Sequence, residues 1–556
     1  MSDFHFSPRP NRAAEINWRH WEEAAFEEAR TRDKPILLSI SAVWCHWCHV
    51  MDETTYSDQR VIDLLNRDYV PVRVDNDLRP DINGRYNMGG WPTTAFLTPQ
   101  GDILSGGTYL PADQMVGALV DIERFYHLRK PEVVARVLEA KKRTGAMVAA
   151  SAGSLQAGLV DGVLQAVENA YDATYGGFGS APKFPQVDAL LLLAEQAAIR
   201  GRPELREMAV FTLRQMAAGG TYDQVEGGFY RYSTTQDWSV PHYEKMLEDH
   251  AGLVAALAAT SESEILDRTT AYLDRVLRDA RTGLYAGSQD ADEHYYGLDA
   301  AGRAGLAAPY VDRRVYTSWN ASLAIAYLEA AARLDRSDLG DAARKLLESL
   351  FERSYRAGGG LEHGEGVQGQ LGDQVWGLLA AVRAYSAGLG TRWLDNAREL
   401  AEHLETRYAD ARFGGYFDRA EGGDLGRLGE RLKPLAENAV AALALFELDV
   451  LIGEPDAPYR SRGERALTSV AQLPPRLGIM AASFARAYDR YLRPPIKVTS
   501  SHPALVRAAL AAYPYAVIEP GDAKRAVICI GTLCLAPVDS AEAVTAAITE
   551  QSHARS

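Results

Sequence analysis

Cys45 and Cys48 stand two residues apart in Val43-Trp44-Cys45-His46-Trp47-Cys48-His49-Val50-Met51, in a chain of 556 residues with only four cysteines. The chemistry open to such a pair is thiol–disulfide exchange, in which a thiolate attacks a disulfide and a second thiol releases the product. A thiolate is favoured where a sulfur meets the positive end of a helix dipole and its unpaired backbone N–H groups. Cys45 holds that place if a helix begins here, which makes it the candidate nucleophile, and Cys48, one turn later, the candidate resolving cysteine. His46 and His49 are expected to make the field more positive, moving the thiol from about 8.5 into the range of about 3.5–7.5. Trp44 and Trp47 flank the pair as supporting residues.

The elements around the motif fit that placement. Lys34-Pro35-Ile36-Leu37-Leu38-Ser39-Ile40 reads as a buried strand, and the residues after Cys48 suit a helix. Strand, C-x-x-C, helix is the thioredoxin order. Other readings stay open. Cys45-His46-Trp47-Cys48-His49 also matches the haem attachment pattern, and four donors in five residues could hold zinc or an iron–sulfur cluster. The second half of a tetrahedral ligand set is not evident, and MSDFHFSPRPNRAAE has no apolar export region, so no metal and no cofactor are expected. A thioredoxin-like module with inert thiols is the bland alternative.

A formal net charge of −15 and the lack of any Lys/Arg-rich run argue against nucleic acid or an anionic membrane surface as the partner. No apolar run reaches the roughly 18 residues of a membrane span. So few cysteines in so long a chain fit a reducing cytoplasm with local redox work. The length implies more than one domain.

In chain order, Trp18–Phe26 opens a helix pattern ending near Asp33, and Ser57 is placed to cap a helix over 58–67. Tyr69–Asp75 is a second strand, parallel to the first by its βαβ order. From about Leu155, helix-period segments alternate with glycine-rich connections in six pairs: 154–171 with 186–200, 203–218 with 241–258, 262–280 with 318–334, 337–354 with 373–388, 391–408 with 435–452, and 459–473 with 480–493. Most connections open on a glycine–aromatic or glycine–apolar element, such as Gly176-Gly177-Phe178, Gly227-Gly228-Phe229 and Gly414-Gly415-Tyr416. Repeated outer helix, long loop and inner helix implies a closed ring of hairpins with a cleft at the mouth where the inner helices begin.

Residues able to do chemistry gather at those starts. Pro241 reads as a first helical residue, which puts His242, Glu244 and Lys245 in the first turn. Asp223, Asp290, Asp292, Trp319, Asn320, Asp373 and Glu437 complete the mouth candidates. Carboxylates, a histidine and aromatic platforms suit a sugar site with a general acid and a partner carboxylate. Equally, these residues can cap helices and pin loops. His250, on the apolar stripe, reads as a hydrogen-bonded core residue.

The blocks Lys34–Ser39, Cys45–Met51, Val74–Asp81, Gly89-Gly90-Trp91-Pro92 and Gly107–Pro111 resemble the YyaL / spermatogenesis-associated protein 20 family. That resemblance implies a multidomain α/β plus all-α chain. Its parts are a thioredoxin-like domain (1–130), a helical linker (131–153), an (α/α)6 toroid of the six-hairpin glycosidase and N-acylglucosamine 2-epimerase type (154–495), and a small C-terminal α/β segment (496–556). With the fold order, it also implies a cis bond at Pro92 facing the cysteines. The loop after Asp292 and the block Pro434–Asn438 depart from the family pattern, and both touch the expected mouth. In the tail, Cys529 lies in an apolar strand and reads as a buried hydrophobe more readily than as a redox partner of Cys534.

Three functions follow as expectations: a cytoplasmic thiol–disulfide oxidoreductase acting on a thiol or disulfide protein or small molecule, with a ligand-binding toroid; a carbohydrate-active enzyme using a sugar-like ligand at the toroid mouth; or a non-catalytic interaction protein.

Overall fold

The computed structural model describes residues 4–129, 132, 139, 153–364, 366–454 and 456–553. The chain divides into two compact units, one grouping residues up to Ala150 with Asp290–Asp292 and Glu421–Leu432, the other holding the rest. The expected linker at 131–153 lies, apart from Glu132, Glu139 and Gly153, outside the described residues.

The first unit runs α1 (Glu23–Arg32), β1 (Ile36–Ser41), α2 (His46–Glu53), α3 (Gln59–Asp68), β2 (Val70–Asp75), α4 (Pro80–Tyr86), β3 (Thr93–Leu97), β4 (Ile103–Gly107) and α5 (Ala112–Leu128). Its sheet has the order β2-β1-β3-β4, with β1 parallel to β2 and antiparallel to β3, and β3 antiparallel to β4. The two-residue period of β1 sorts its side chains between layers. Ile36, Leu38 and Ile40 join Phe26 of α1 and Tyr86 of α4, whereas Leu37 joins Met51 of α2, Leu65 of α3 and Met115 of α5. Helices therefore cover both faces of a thioredoxin-like sheet, which explains why β1 is apolar without alternation. Two local expectations are corrected. Arg19 pairs with Val72 in extended backbone, so α1 begins only at Glu23. Asp58, not Ser57, caps α3, because its carboxylate accepts the Arg60 N–H at 2.8 Å.

In the second unit, twelve helices among the described residues form the six pairs: α6 (Leu159–Ala170) and α7 (Val187–Arg200), α8 (Pro203–Ala218) and α9 (Leu247–Thr260), α10 (Ser263–Tyr272) and α11 (Thr317–Leu334), α12 (Ser337–Ser354) and α13 (Leu371–Ser386), α14 (Arg392–Arg407) and α15 (Leu435–Ile452), α16 (Tyr459–Val470) and α17 (Ala482–Leu492). The second helix of each pair packs on the next, α7-α9-α11-α13-α15-α17, and α17 returns to α7, so the ring closes. Inner α15 is buried without a break from Asn438 to Leu448, while outer α14 buries only the stripe Trp393, Ala397, Leu400, Ala401 and Leu404. That contrast is what position inside or outside a closed ring requires.

One turn recurs in four connections. Asp172, Asp223, Asp279 and Asp410 each donate a backbone N–H to the carbonyl five residues on, and accept at their own carbonyl from the glycine four residues on. Each Oδ1 takes the two intervening N–H groups, as with Thr174 and Tyr175 at Asp172. The fourth-residue glycines have φ of 70–82°, a left-handed conformation that side chains disfavour. Inner helices hold the next residue from the ring side. After three of these turns, His250, Asn320 and Asn438 accept the N–H of Phe229, Tyr285 and Tyr416 at 2.8–2.9 Å, and Gln374 does the same for Leu361 in a further connection.

The tail forms a sheet from β5 (Ile496–Thr499), β6 (Val517–Glu519), β7 (Val527–Ile530) and β8 (Leu533–Cys534), in the order β6-β5-β7-β8. With α18 (Pro503–Ala512) it packs on Ile199 of α7 and Ala332 of α11, at the C-terminal ends of the inner helices.

Candidate functional site

Cys45 is the N-cap of α2, and its Sγ accepts the Cys48 N–H at 3.2 Å. A backbone donor thus points at the sulfur from the positive end of the helix, the arrangement that favours a thiolate. The two sulfurs are joined as a disulfide, with Cα atoms 5.2 Å apart. Trp44 is held by a 2.7 Å hydrogen bond from Nε1 to Asp77, and its ring meets Trp91 edge-on at 5.5 Å. The Trp91–Pro92 bond is cis, as the resemblance implies, and the ring contact sets the residue before Pro92 against the residue before Cys45. Both cysteines are buried, while Trp47 is 46 % exposed and is the open face of the site.

The far end of α2 is fixed by a buried fork. Arg73 on β2 donates Nη1 and Nη2 to the two Asp52 oxygens at 2.8 and 2.9 Å. Cation–π contacts to Phe6 and Trp18 cover the guanidinium. His49 departs from expectation. Burial, with His5, Arg73 and His46 nearby, lowers its imidazole to about 3, so it is neutral at working pH and adds no positive charge. Its Nδ1 lies 3.5 Å from Asp290 Oδ2, beyond the length of a good hydrogen bond. Asp290 and Asp292, expected at the toroid mouth, thus group with the cysteine-bearing unit.

In the second unit, the helix expected over 241–258 begins only at Leu247. Pro241–His242 pairs with Tyr232–Ser233, and Lys245–Met246 with Ser288–Gln289, so strand pairing holds this stretch extended before α9. His242, Glu244 and Lys245 therefore precede the helix. His242 Nδ1 meets both Glu244 oxygens at 2.7 and 2.8 Å. Burial alone lowers His242, but the Glu244 bond and charge outweigh it, and the net shift is upward. The His242 ring stacks on Tyr232 at 4.8 Å, and Tyr232 on the exposed Phe184 at 4.6 Å. Within electrostatic reach of Glu244 is Asp249, pushed up to about 6 by burial, with Arg231 opposing and Glu244 adding. Phe184, Arg231, Tyr232 and Asp249 were not among the mouth candidates, although Phe184 lies in an inner-helix start and Asp249 falls on the expected helical face of His242 and Lys245. For Asp249 a further signal existed, a carboxylate in the apolar run Leu247–Thr260; for Arg231 and Tyr232 there was none.

Other mouth candidates serve the repeat. Lys245 Nζ binds Asp223 Oδ2 at 2.8 Å and the Gly227 carbonyl at 2.9 Å. Lys183 does the same with Asp172 and Gly176, and Lys433 bridges Asp410 and Gly414. Three copies of one staple identify Lys245 and Asp223 as a fixture of the turn. Their copy is the most elaborate: Arg303 also binds Asp223 at 2.8 Å, and Tyr230, Tyr272 and Tyr296 surround the ammonium at 4.5–5.0 Å. Burial brings Lys245 down to about 8 against the pull of Asp223. Asn320 spends its amide on Tyr285 and Tyr316, and Asp373 caps α13 while meeting His363 at 3.0 Å. Trp319 lies against Tyr316 at 4.6 Å, and burial raises Glu437, with Asp418 adding.

Cys529, read as a buried hydrophobe more readily than as a redox partner, forms a disulfide with Cys534. They are register partners on β7 and β8, one position from the Leu535 N–H to Ile528 carbonyl bond, which sets them at a narrow non-hydrogen-bonded pair.

Residues 9–144 match the family Thioredox_DsbH, described as a protein of unknown function, DUF255. Spermatogenesis-associated protein 20 from Homo sapiens is 33 % identical over 307 residues, 50 % of this chain and 39 % of that protein, so the alignment spans well under half of the relative's length. Thiol:disulfide interchange protein DsbD from Campylobacter jejuni is 30 % identical over 94 residues, 16 % of each chain. Among solved structures, a sugar epimerase from a ruminal bacterium superposes with a TM-score of 0.46 at 12 % identity, over 57 % of this chain and 84 % of that one. The family match and the relatives bear out the resemblance to the YyaL / spermatogenesis-associated protein 20 family. No helix among the described residues is long and apolar enough to cross a membrane.

Proposed function

We propose that this chain is a thiol–disulfide oxidoreductase, with Cys45 as nucleophile and Cys48 as resolving cysteine, acting on a protein or small-molecule disulfide. The observation that carries it is the Cys45 sulfur at the N-cap of α2, 3.2 Å from the Cys48 N–H. In the reduced enzyme, the Cys45 thiolate attacks a substrate disulfide, forming a mixed disulfide and expelling one substrate thiolate. The Cys48 thiolate then attacks Cys45 Sγ, closing the Cys45–Cys48 bond and releasing the second thiol. The substrate gains two electrons and two protons, and an external dithiol returns the pair to its reduced form. The local similarity to a thiol:disulfide interchange protein supports this reading. A reducing cytoplasm is its natural setting, since exchange there runs against a glutathione pool.

The test is a glutathione titration read by alkylation and mass spectrometry, paired with a disulfide-reduction assay. A two-electron transition between about −270 and −120 mV, with turnover lost in Cys45→Ser, is the expected result. Turnover that survives Cys45→Ser sinks the assignment.

A second reading, a carbohydrate-active site in the second unit, is favoured by Asp249. A carboxyl near 6 that interacts with Glu244, itself bonded to His242, has the makings of a general acid. An Asp raised in the fold gives stability that is present below its ordinary value and is lost as pH rises through about 6. Asp249→Asn is therefore expected to be more stable than the native chain at pH 7 by about 1–2 kcal/mol, discounted for partial exposure, and equal to it at pH 3. A sugar panel with no binding, together with no loss in His242→Ala, removes this reading. If the redox assay is also silent, a non-catalytic interaction role remains.

A further inference from the structure

At the C-terminal ends of the inner helices, two cavities of about 500 and 510 Å3 are both lined by Glu329, Arg333 and Leu510. Around them lies a buried ionic network drawn from five elements. Glu195 of α7 receives Arg486 at 3.0 Å and Arg490 at 3.3 Å, both from α17. Glu447 of α15 receives Arg490 and Arg383 of α13, each at 2.7 Å. Arg383 also approaches Glu329 of α11 at 3.6 Å.

Arg333 is left over. Among the described residues no ion pair joins it to a carboxylate, and it donates from Nη1 to the Leu510 carbonyl at a long 3.3 Å. Burial lowers its affinity for the proton, with Arg383 and Arg490 adding and the charges of Glu329 and Glu195 only partly offsetting it. The Nε groups of Arg333, Arg383 and Arg490 are buried and have no hydrogen-bond partner among the described residues. A buried donor without an acceptor carries its full desolvation cost, and two of these arginines, Arg333 and Arg490, line the 510 Å3 cavity, where an acceptor from outside the chain can meet them. The 510 Å3 cavity is lined by five arginines and two glutamates; Arg486, Arg490 and Arg507 have carboxylate partners, and among the described residues no ion pair joins Arg206 or Arg333 to one, which leaves a cationic excess that favours an anion. Its volume suits a small molecule. A phosphate group presents three oxygens to such donors, where a carboxylate presents two, and guanidinium forks match its geometry.

We infer that this cavity binds a phosphate-bearing small molecule, seated on Arg333 and Arg490. The site is separate from the cysteines and from the His242 cluster.

The probe is inorganic phosphate, titrated into the full chain while Tm is followed, against sodium chloride at matched ionic strength. A saturable rise beyond the chloride control is expected. Arg333→Met should abolish that rise and, without phosphate, melt at or above the native temperature, because it removes an uncompensated buried charge. Arg333→Lys keeps the charge but loses the fork, and should weaken phosphate binding at least tenfold. No rise over chloride overturns the inference. So does a rise that persists in Arg333→Met, and so does an Arg333→Met protein that unfolds without phosphate, since either makes Arg333 structural.

Discussion

The two disulfides sit in opposite kinds of backbone. Cys45–Cys48 spans the first turn of α2, where a backbone N–H faces the Cys45 sulfur. Cys529–Cys534 closes a short hairpin between β7 and β8, with Cys529 buried and Cys534 exposed. A helix terminus can stabilise the reduced, charged form of a sulfur, whereas strand dipoles largely cancel and give a thiolate nothing comparable. The first pair therefore has a favoured thiolate form that the second lacks, and under the proposed function it is the first that opens and closes.

That contrast can be broken in several ways. The largest effect is expected from Arg73→Ala, which strands Asp52 as a buried charge beneath α2; unfolding in urea should show a loss of about 3–5 kcal/mol. A much smaller loss would mean that α2 is held without the fork. Replacing Cys529 and Cys534 together by alanine should cost about 2 kcal/mol, the loop-closure value for so short a ring, and leave disulfide reductase turnover unchanged. A fall in turnover would erase the distinction between the two pairs. Next, in the reduced protein at pH 7, iodoacetamide should modify Cys45 about tenfold faster than Cys534, although Cys45 is the more buried, because an ordinary thiol is only a few per cent thiolate there. Equal rates would show that the helix terminus confers no advantage. The smallest change is expected for Trp47→Ala, which should move stability by less than about 0.5 kcal/mol while raising KM for a protein disulfide, since the ring is exposed beside the pair.

The repeat within the second unit gives a different lesson about what a motif signals. From sequence, Lys245 and Asp223 look like acid–base residues at a cleft. Lys183 with Asp172 and Lys433 with Asp410 reproduce the same geometry two more times, and a device made three times around a ring is part of its construction. His242, Glu244 and Asp249 are what the comparison leaves over, and of these His242 and Asp249 have raised proton affinities. The extended stretch before α9 was misread for a related reason. Pro241 is a fair first helical residue locally, but pairing with Ser233, 8 residues earlier, decided its backbone.

By itself the sequence determined the order of elements, the C-x-x-C at a helix start, and the six helix pairs, most of whose bounds fall within a few residues of those read from period and glycine turns, with the start of α9 and the end of α10 the exceptions. Such features rest on hydrogen bonds and side-chain contacts that close within a few residues, so local pattern suffices to encode them. Only the tertiary structure decided that His49 is neutral, that Asp290 belongs with the cysteine-bearing unit, and that burial raises Asp249 to about 6. It also decided the Arg333 network, in which Arg486 meets Glu195 across 291 positions of sequence. Burial and charge environment are sums over neighbours brought from distant parts of the chain, and those neighbours exist only once the ring has closed.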